Sequence, residues 1–281
     1  DGDSVRDFLL PPLGQVRKIH PKRKKDTMSP TRKIYVTRLA GRCLILALCA
    51  AMCVYWPGGF DVLNGMNFFK TLSPLHFLWV IWVGDMILQI FPIKNKVPLG
   101  SQKLFASRFR PIREKINYEA LKSYIVATTK AAYKVFLIWC VLIGAIGLLY
   151  AFGFINKIAL FMISVFFYVC DLICVLIWCP FRLIMKNRCC TTCRIFNWDH
   201  LMMFSPLIFM GGFFAVSLVV LSVAAWLVWE LCVMMYPERF WDHSNAALQC
   251  SQCTDKLCTQ YCQKLRSESR DNRNSRDGTA A

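Results

Sequence analysis

Two aspartates lie near the middle of long apolar stretches of the sequence, where carboxylates are rare. Asp85 is the only Asp, Glu, Lys or Arg in the stretch 75–93, and Asp171 is the only one in the stretch 158–181. An ionised carboxylate at the centre of a bilayer costs several kcal/mol unless it is paired or hydrated. The two residues are therefore the first candidates for a functional site.

Two interpretations of Asp85 and Asp171 follow from their position. In the first, they form a proton- or cation-binding pair that faces one interface on a translocation path. In the second, they are protonated or hydrogen-bonded residues that hold neighbouring helices together. Partners available for the second interpretation are Ser73, His76, Gln89 and Tyr168. The other charges in the apolar stretches, Arg42 and Glu230, are expected to extend toward the membrane interface.

A second candidate for chemistry is a cysteine cluster near the C-terminus. Cys250, Cys253, Cys258 and Cys262 are spaced C-x2-C-x4-C-x3-C. Thiols at this spacing on one short helix share a face, so they predict a common role. Zinc, an iron–sulfur cluster and two disulfides are all compatible with the spacing. An oxidising compartment around the tail favours disulfides, whereas a tail inside the cell favours a metal.

A smaller cluster consists of Cys189, Cys190 and Cys193, with His200 seven residues further along the chain. Together they could form a zinc site with three cysteine ligands and one histidine. The alternative is a set of reduced, unliganded thiols in a cytoplasmic loop. The sequence contains no Gly-rich phosphate loop, Ser/His/Asp set or H-E-x-x-H helix, which favours a protein that is not an enzyme.

These residues are carried by an apolar chain whose composition is typical of a membrane protein. Hydrophobic residues make up 56% of the 281 residues, above the range of soluble domains, and they occur in blocks of the length that crosses a bilayer. About five spans are predicted, at Ala40–Trp56, Leu75–Ile93, Val135–Ile155, Ile158–Phe181 and Phe213–Tyr236. Residues 201–212 are interpreted as an interfacial or kinked segment before the last span. The predicted fold is an all-α, polytopic helix bundle.

The sequence also indicates an internal duplication. Val83-x-Asp85-x-Ile87 matches Val169-x-Asp171-x-Ile173, and the segment Thr37–Arg42 resembles Thr129–Lys134. Further matches follow in the same order at offsets of 86 to 94 residues. They predict a two-span unit present twice in parallel orientation. The alternative is chance similarity, because apolar hairpins with basic flanks resemble one another.

Basic residues set the expected orientation of the chain. Residues 1–33 hold nine Lys or Arg, residues 94–134 hold ten and residues 182–200 hold four, whereas loops 57–73 and 152–157 hold one each. The positive-inside rule then places the N-terminus and the loop 94–134 in the cytoplasm. Five spans leave the tail outside. We expect a multi-pass protein of the plasma membrane.

The net charge of +17 raises the question of nucleic acid as a partner. Most basic residues flank the apolar blocks, which favours the bilayer and its anionic lipid headgroups. The sequence starts at Asp1 rather than Met, from which we expect a fragment or a processed form.

The predicted organisation has six parts. They are a basic N-terminal segment (1–36), a first two-span repeat (37–110), a basic amphipathic linker (111–128), a second repeat (129–200), a kinked fifth membrane helix (201–236) and a Cys-rich tail (237–281). The helix predicted within 112–133 should lie on the membrane surface with Leu121 and Tyr124 on its apolar face. The first functional hypothesis is a transporter- or channel-like protein that uses Asp85 and Asp171. The others are a metal-binding or electron-transfer protein that uses the cysteines, and a structural protein without transport.

Overall fold

A computed structural model describes residues 29–91, 109–112, 116–186 and 193–249. Within these ranges the regular structure is helical, apart from one isolated antiparallel β-bridge between Pro111 and Asn245. The α-helices, in chain order, are α1 (Pro30–Tyr55), α2 (Leu75–Ile90), α3 (Tyr118–Ala151), α4 (Lys157–Leu176), α5 (Phe181–Met185), α6 (Asp199–Phe204) and α7 (Gly212–Met235). Short 3-10 helices connect several of them.

Helices α1, α3, α4 and α7 are long and apolar enough to cross a membrane. Helix α2 is also apolar but has only 16 residues, so it extends for about 24 Å. The all-helical class is therefore confirmed, and several helices have the length and composition of membrane spans. The number of spans and the duplicated repeat stay predictions.

Side-chain caps explain where three of the long helices begin. The Ser29 side chain accepts a hydrogen bond from the backbone N–H of Arg32 at the start of α1. Asn117 accepts from two backbone N–H groups at the start of α3, and Asn156 accepts from Ala159 N–H at the start of α4. These are the residue types that satisfy the free N–H groups of a first helical turn.

Helix α3 differs from its prediction. It continues without a break through the expected boundary between linker and second repeat at residues 128–129. Its 34 residues span about 51 Å, well beyond a hydrocarbon core of about 30 Å. The face expected on the membrane surface instead packs on protein: Leu121 is buried, and the ring of Tyr124 lies 6.1 Å from that of Trp241.

The core forms where α1 packs along α4 and α2 packs along α7. Trp82 of α2 is fully buried at its centre. Its ring centroid lies 5.0 Å from Phe204, 5.7 Å from Tyr168 and 6.0 Å from Phe161. A large aromatic side chain thus joins α2, α4 and α6 in one apolar cluster.

The chain before α7 is more than a short interfacial segment. From Trp198 to Phe209 it advances along α3: the Trp198 ring packs on Phe136, Ser205 accepts a hydrogen bond from Trp139, and the Phe209 ring reaches Gly147. Helix α7 then returns antiparallel to it and brings its own aromatic side chains back to Trp198. The segment and α7 therefore form a helical hairpin. Helix α7 coincides with the last predicted span, Phe213–Tyr236, and the kinked fifth membrane helix over 201–236 stays a prediction.

The start of the tail lies at the same end of the bundle as the segment before α3. Ile112 N–H donates to the Ser244 carbonyl at 3.2 Å, and Ala246 N–H donates to the Arg110 carbonyl at 2.9 Å. The two segments therefore lie at one end of the bundle, whereas five spans would place the tail and the loop 94–134 on opposite sides of a membrane. The sides on which they lie stay a prediction.

Candidate functional site

A polar cavity of about 50 Å³ lies where α1, α2, α4 and α6 meet. It has room for a few water molecules. Its polar and charged lining includes Arg42, Asp85, Gln89, Asp171, Asp199 and His200. The structure therefore brings Asp85 and Asp171 to one cavity, together with His200 from the second cysteine cluster. It also adds a third carboxylate, Asp199, that sequence reasoning did not single out.

Helical spacing explains how these side chains converge. The buried residues of α1 are Tyr35, Arg42 and Cys49, which recur every seventh position and so form one stripe. On α2, Asp85 and Gln89 are i,i+4 neighbours and share a face. Each of these helices thus directs one or two polar side chains into the cavity.

Arg42 pairs with Asp171. Its Nη1 donates to Oδ2 of Asp171 at 2.7 Å and to the backbone carbonyl of Tyr168 at 2.6 Å. The guanidinium also lies 3.9 Å from the centre of the Tyr168 ring, a cation–π contact. Arg42 is only 8% exposed, so the expectation that it extends to the interface is wrong. Burial of both charges as a pair avoids the cost of an isolated charge.

Asp199 is held by three contacts to its Oδ1 atom. Gln89 Nε2 donates at 3.1 Å, His200 backbone N–H donates at 2.9 Å, and His200 Nδ1 lies at 3.1 Å. An ionised carboxylate only accepts, so His200 Nδ1 carries the proton in this arrangement. The sequence signal for Asp199 is its position next to His200, directly before an apolar stretch. The sequence analysis considered only the histidine of this pair.

Three groups in the cavity lack a protein partner. Among the described residues, Asp85 makes no hydrogen bond or ion pair with another side chain. Gln89 Oε1 and His200 Nε2 are buried and have no hydrogen-bond partner within the described part of the chain. Buried polar groups are almost always hydrogen-bonded. A bound water, proton carrier or ion in this cavity would therefore supply the missing partners of these groups.

The donor set does not form a metal site. Within residues 29–91, 109–112, 116–186 and 193–249, no three His, Cys, Asp or Glu side chains are placed to hold a metal ion. Cys193 lines a neighbouring apolar cavity, and His200 contacts Asp199 through Nδ1. Cys189, Cys190, Cys250, Cys253, Cys258 and Cys262 lie outside the described residues. Zinc and iron–sulfur binding by those cysteines stay predictions.

The partners suggested for the aspartates are divided between two ends of the bundle. Gln89 lines the cavity, and Tyr168 lies beside it in contact with Arg42. Ser73 donates to the Gly59 carbonyl at 2.7 Å, and His76 Nε2 contacts the Phe68 carbonyl at 2.8 Å. Ser73 and His76 therefore stabilise the loop before α2 and take no part in the cavity.

Glu230 belongs to a second buried polar group. Its Oε2 atom accepts from Arg194 Nη2 at 2.6 Å and its Oε1 atom accepts from Trp198 Nε1 at 2.8 Å. Burial lowers the pKa of the Arg194 guanidinium, and the Glu230 carboxylate opposes that shift. These bonds fasten α7 to the chain before α6, and the expectation that Glu230 extends to the interface is corrected.

The chain matches no protein-family model, and neither a curated protein nor a solved structure shows a significant match to it.

Proposed function

We propose that this protein is a transport-type integral membrane protein that handles protons in the polar cavity, with Asp85 as the residue that binds and releases the proton. The observation that carries the proposal is the carboxylate of Asp85, which pairs with no described side chain, beside two carboxylates that have partners. A proton fits the cavity better than a metal ion, because the described side chains offer no metal-binding group.

The charges of the cavity support Asp85 as the exchanging group. Arg42 compensates Asp171 at 2.7 Å. Asp199 accepts from Gln89 and contacts His200. Among the described residues Asp85 makes no such hydrogen bond or ion pair, although Arg42 and His200 lie close enough to interact with its charge. It is therefore the carboxylate of the cavity that can take up a proton without losing a partner. The neighbouring Gln89 Oε1 and His200 Nε2 atoms can hold the water that delivers the proton.

A broken crossing next to the cavity also supports transport. Segments 109–112 and 244–246 lie at the same end of the bundle. Three long helices, α3, α4 and α7, cross the bundle in the chain between these two segments. A chain that returns to the end where it started must cross an even number of times. The segment 199–210, composed of α6 and a 3-10 helix Ser205–Phe209, supplies the fourth as a short, broken passage. It extends for about 20 Å and so covers only part of a hydrocarbon core of about 30 Å. Discontinuous helices beside polar sites are typical of transporters.

With α1 and α2, the chain then has six crossings, and both the N-terminal segment and the start of the tail lie on one side. The basic residues of 1–33 and 94–134 make that side cytoplasmic, where they contact anionic lipid headgroups. The cavity opens toward this side, because the exposed Arg38 forms part of its lining. The membrane is the plasma membrane in this proposal.

Proton flux into liposomes tests the proposal. The purified full chain is reconstituted with an internal pH-sensitive dye, and a potassium gradient with valinomycin supplies the driving force. Wild-type protein should acidify or alkalinise the lumen according to the sign of the potential. Asp85→Asn should reduce the rate at least tenfold, because the amide does not ionise.

Asp61→Asn is the matched control, because it removes the same charge from an exposed residue at the other end of the bundle. It should leave the flux unchanged. Absence of proton flux with wild-type protein, or equal flux with Asp85→Asn and Asp61→Asn, would refute the proposed role.

A further inference from the structure

Two buried polar atoms lie in the bundle core beyond the polar cavity. Trp82 of α2 and Ser164 of α4 are both completely buried. Trp82 Nε1 and Ser164 Oγ have no hydrogen-bond partner among the residues that the structure describes. Buried polar groups almost always have such a partner, either in the protein or in an ordered water molecule. The two atoms therefore need a partner other than the described side chains.

The packing of α2 on α4 brings Trp82 to the part of α4 that carries Ser164. The Trp82 ring centroid lies 6.0 Å from Phe161 and 5.7 Å from Tyr168. Ser164 is three residues after Phe161 and four before Tyr168, so the three side chains share one face of α4. Trp82 thus packs across the helical turn at Ser164, and one small polar molecule at this contact can serve both polar atoms.

Ser164 lies halfway between the polar cavity and the opposite end of the bundle. It precedes Asp171 of the cavity by seven residues and follows Lys157, the first residue of α4, by seven, which is about 10 Å along the helix in each direction. Lys157 donates to Asn64 in the loop before α2 at 3.2 Å, so α2 and α4 begin at the same end. The cavity opens at the other end, where the exposed Arg38 forms part of its lining. A proton that crosses the bundle from the cavity must therefore pass the level of Ser164.

We propose that Trp82 Nε1 and Ser164 Oγ bind an internal water molecule, and that this water passes on the proton that leaves the cavity for the opposite end. The indole N–H only donates, so the water oxygen accepts from Trp82 and one water hydrogen is donated to Ser164. The water takes up one proton on its remaining lone pair and releases another, so the exchange leaves it unchanged. The bound water does not depend on proton handling, whereas its part in the route rests on the proposed function of Asp85.

Hydroxyl-radical labelling of the full chain in nanodiscs tests the bound water. X-ray pulses convert water molecules to radicals that oxidise the side chains beside them, and mass spectrometry locates the added oxygen. Trp82 should be oxidised although it is completely buried, and Ser164→Ala should reduce this oxidation at least threefold. Met210 is the control, because it is a readily oxidised side chain that is buried in the same core cluster, and it should stay unlabelled. An unlabelled Trp82 in the wild-type protein would overturn the proposal.

Proton flux into liposomes tests the role of this water. Ser164→Ala should lower the flux about tenfold, whereas Ser222→Ala should leave it unchanged. Ser222 is the matched control, because it is also buried but donates to the Val219 carbonyl of its own helix at 2.8 Å. If Ser164→Ala fails to fold in a thermal melt, Trp82→Phe removes the indole N–H and keeps a ring at the same position.

The two measurements separate the water site from the function of the cavity. Equal flux with Ser164→Ala and Ser222→Ala would overturn the role of the water in the route. Absence of flux with wild-type protein would refute proton handling by Asp85 and the route with it, whereas oxidation of Trp82 that depends on Ser164 would still establish the water site.

Discussion

At the level of single residues, the contact between Arg42 and Asp171 sets both the charge and the stability of the bundle interior. Their side chains are only 10% and 20% exposed. A buried pair is weak evidence for net stabilisation, because both charges lose their hydration. Removal of one partner is strongly destabilising, because it leaves the other charge buried and uncompensated.

We therefore predict that Arg42→Met lowers the free energy of unfolding by about 3–5 kcal/mol. The double variant Arg42→Met/Asp171→Leu should recover most of that loss, because no charge remains unpaired. Denaturant unfolding in detergent, followed by circular dichroism, measures both. Arg38→Met changes an exposed arginine of the same helix and should have an effect within about 0.5 kcal/mol. A double variant as unstable as the sum of its single substitutions would contradict this account.

The two aspartates are not equivalent in their contacts. The predicted repeat aligns Lys134 with Arg42, so strict symmetry would pair Lys134 with Asp85. Lys134 is exposed instead, and among the described residues only Asp171 has an arginine partner. This asymmetry leaves one carboxylate neutralised and the other available, which is the arrangement that proton exchange needs.

At the level of elements, the broken segment before α7 depends on close contact with α3. A Cβ atom placed on Gly147 would lie within 2.9 Å of the Phe209 ring. Gly144, three residues earlier on the same helix, has open space around it. Glycine at position 147 therefore allows the 3-10 helix Ser205–Phe209 to approach α3.

Gly147→Ala should destabilise the protein by about 1–3 kcal/mol relative to Gly144→Ala, because the added methyl group overpacks the contact. Both substitutions raise helix propensity equally, so the difference in stability between the two variants isolates the steric effect. Thermal unfolding of the two variants measures it. Phe209→Leu in the Gly147→Ala background should restore stability. Equal stability of the two alanine variants would argue against the close contact.

At the level of the whole molecule, the position of the tail distinguishes five crossings from six. Backbone contacts join 110–112 to 244–246, and the Pro111–Asn245 bridge is antiparallel. Residues bridged in this way have Cα atoms about 4.5–5.5 Å apart, within the range that a disulfide spans.

We predict that epitope tags at the N-terminus and the C-terminus are detected on the same side of the membrane. A tag in the turn at Gly153, which joins α3 to α4, should be detected on the other side. Antibody labelling of intact and permeabilised cells measures this. The double variant Pro111→Cys/Asn245→Cys should also form an intramolecular cross-link, with each single variant as its control. N- and C-terminal tags on opposite sides would support five crossings.

The sequence alone determined the helical class and the membrane environment of this protein. Both follow from local properties: runs of about 20 apolar residues favour spans, because a helix satisfies its own backbone hydrogen bonds in lipid. It also identified Asp85 and Asp171, since an isolated charge is conspicuous in an apolar stretch. Asn117 and Asn156 occupy positions where helix N-caps are expected from the sequence, because a capping side chain bonds to backbone groups only two or three residues away.

Only the tertiary structure decided what those aspartates contact and which segments meet at one end of the bundle. Arg42 and Asp171 are 129 residues apart in sequence, and no local pattern records such a pairing. Asp199 became part of the cavity because α6 packs against α2 and α4. The course of the segment 199–210 followed only in part from the sequence, which indicated an interfacial or kinked segment at 201–212, because it has no uninterrupted apolar helix of spanning length. Its backbone is buried among other helices, so the packing, rather than its own periodicity, holds it in the bundle.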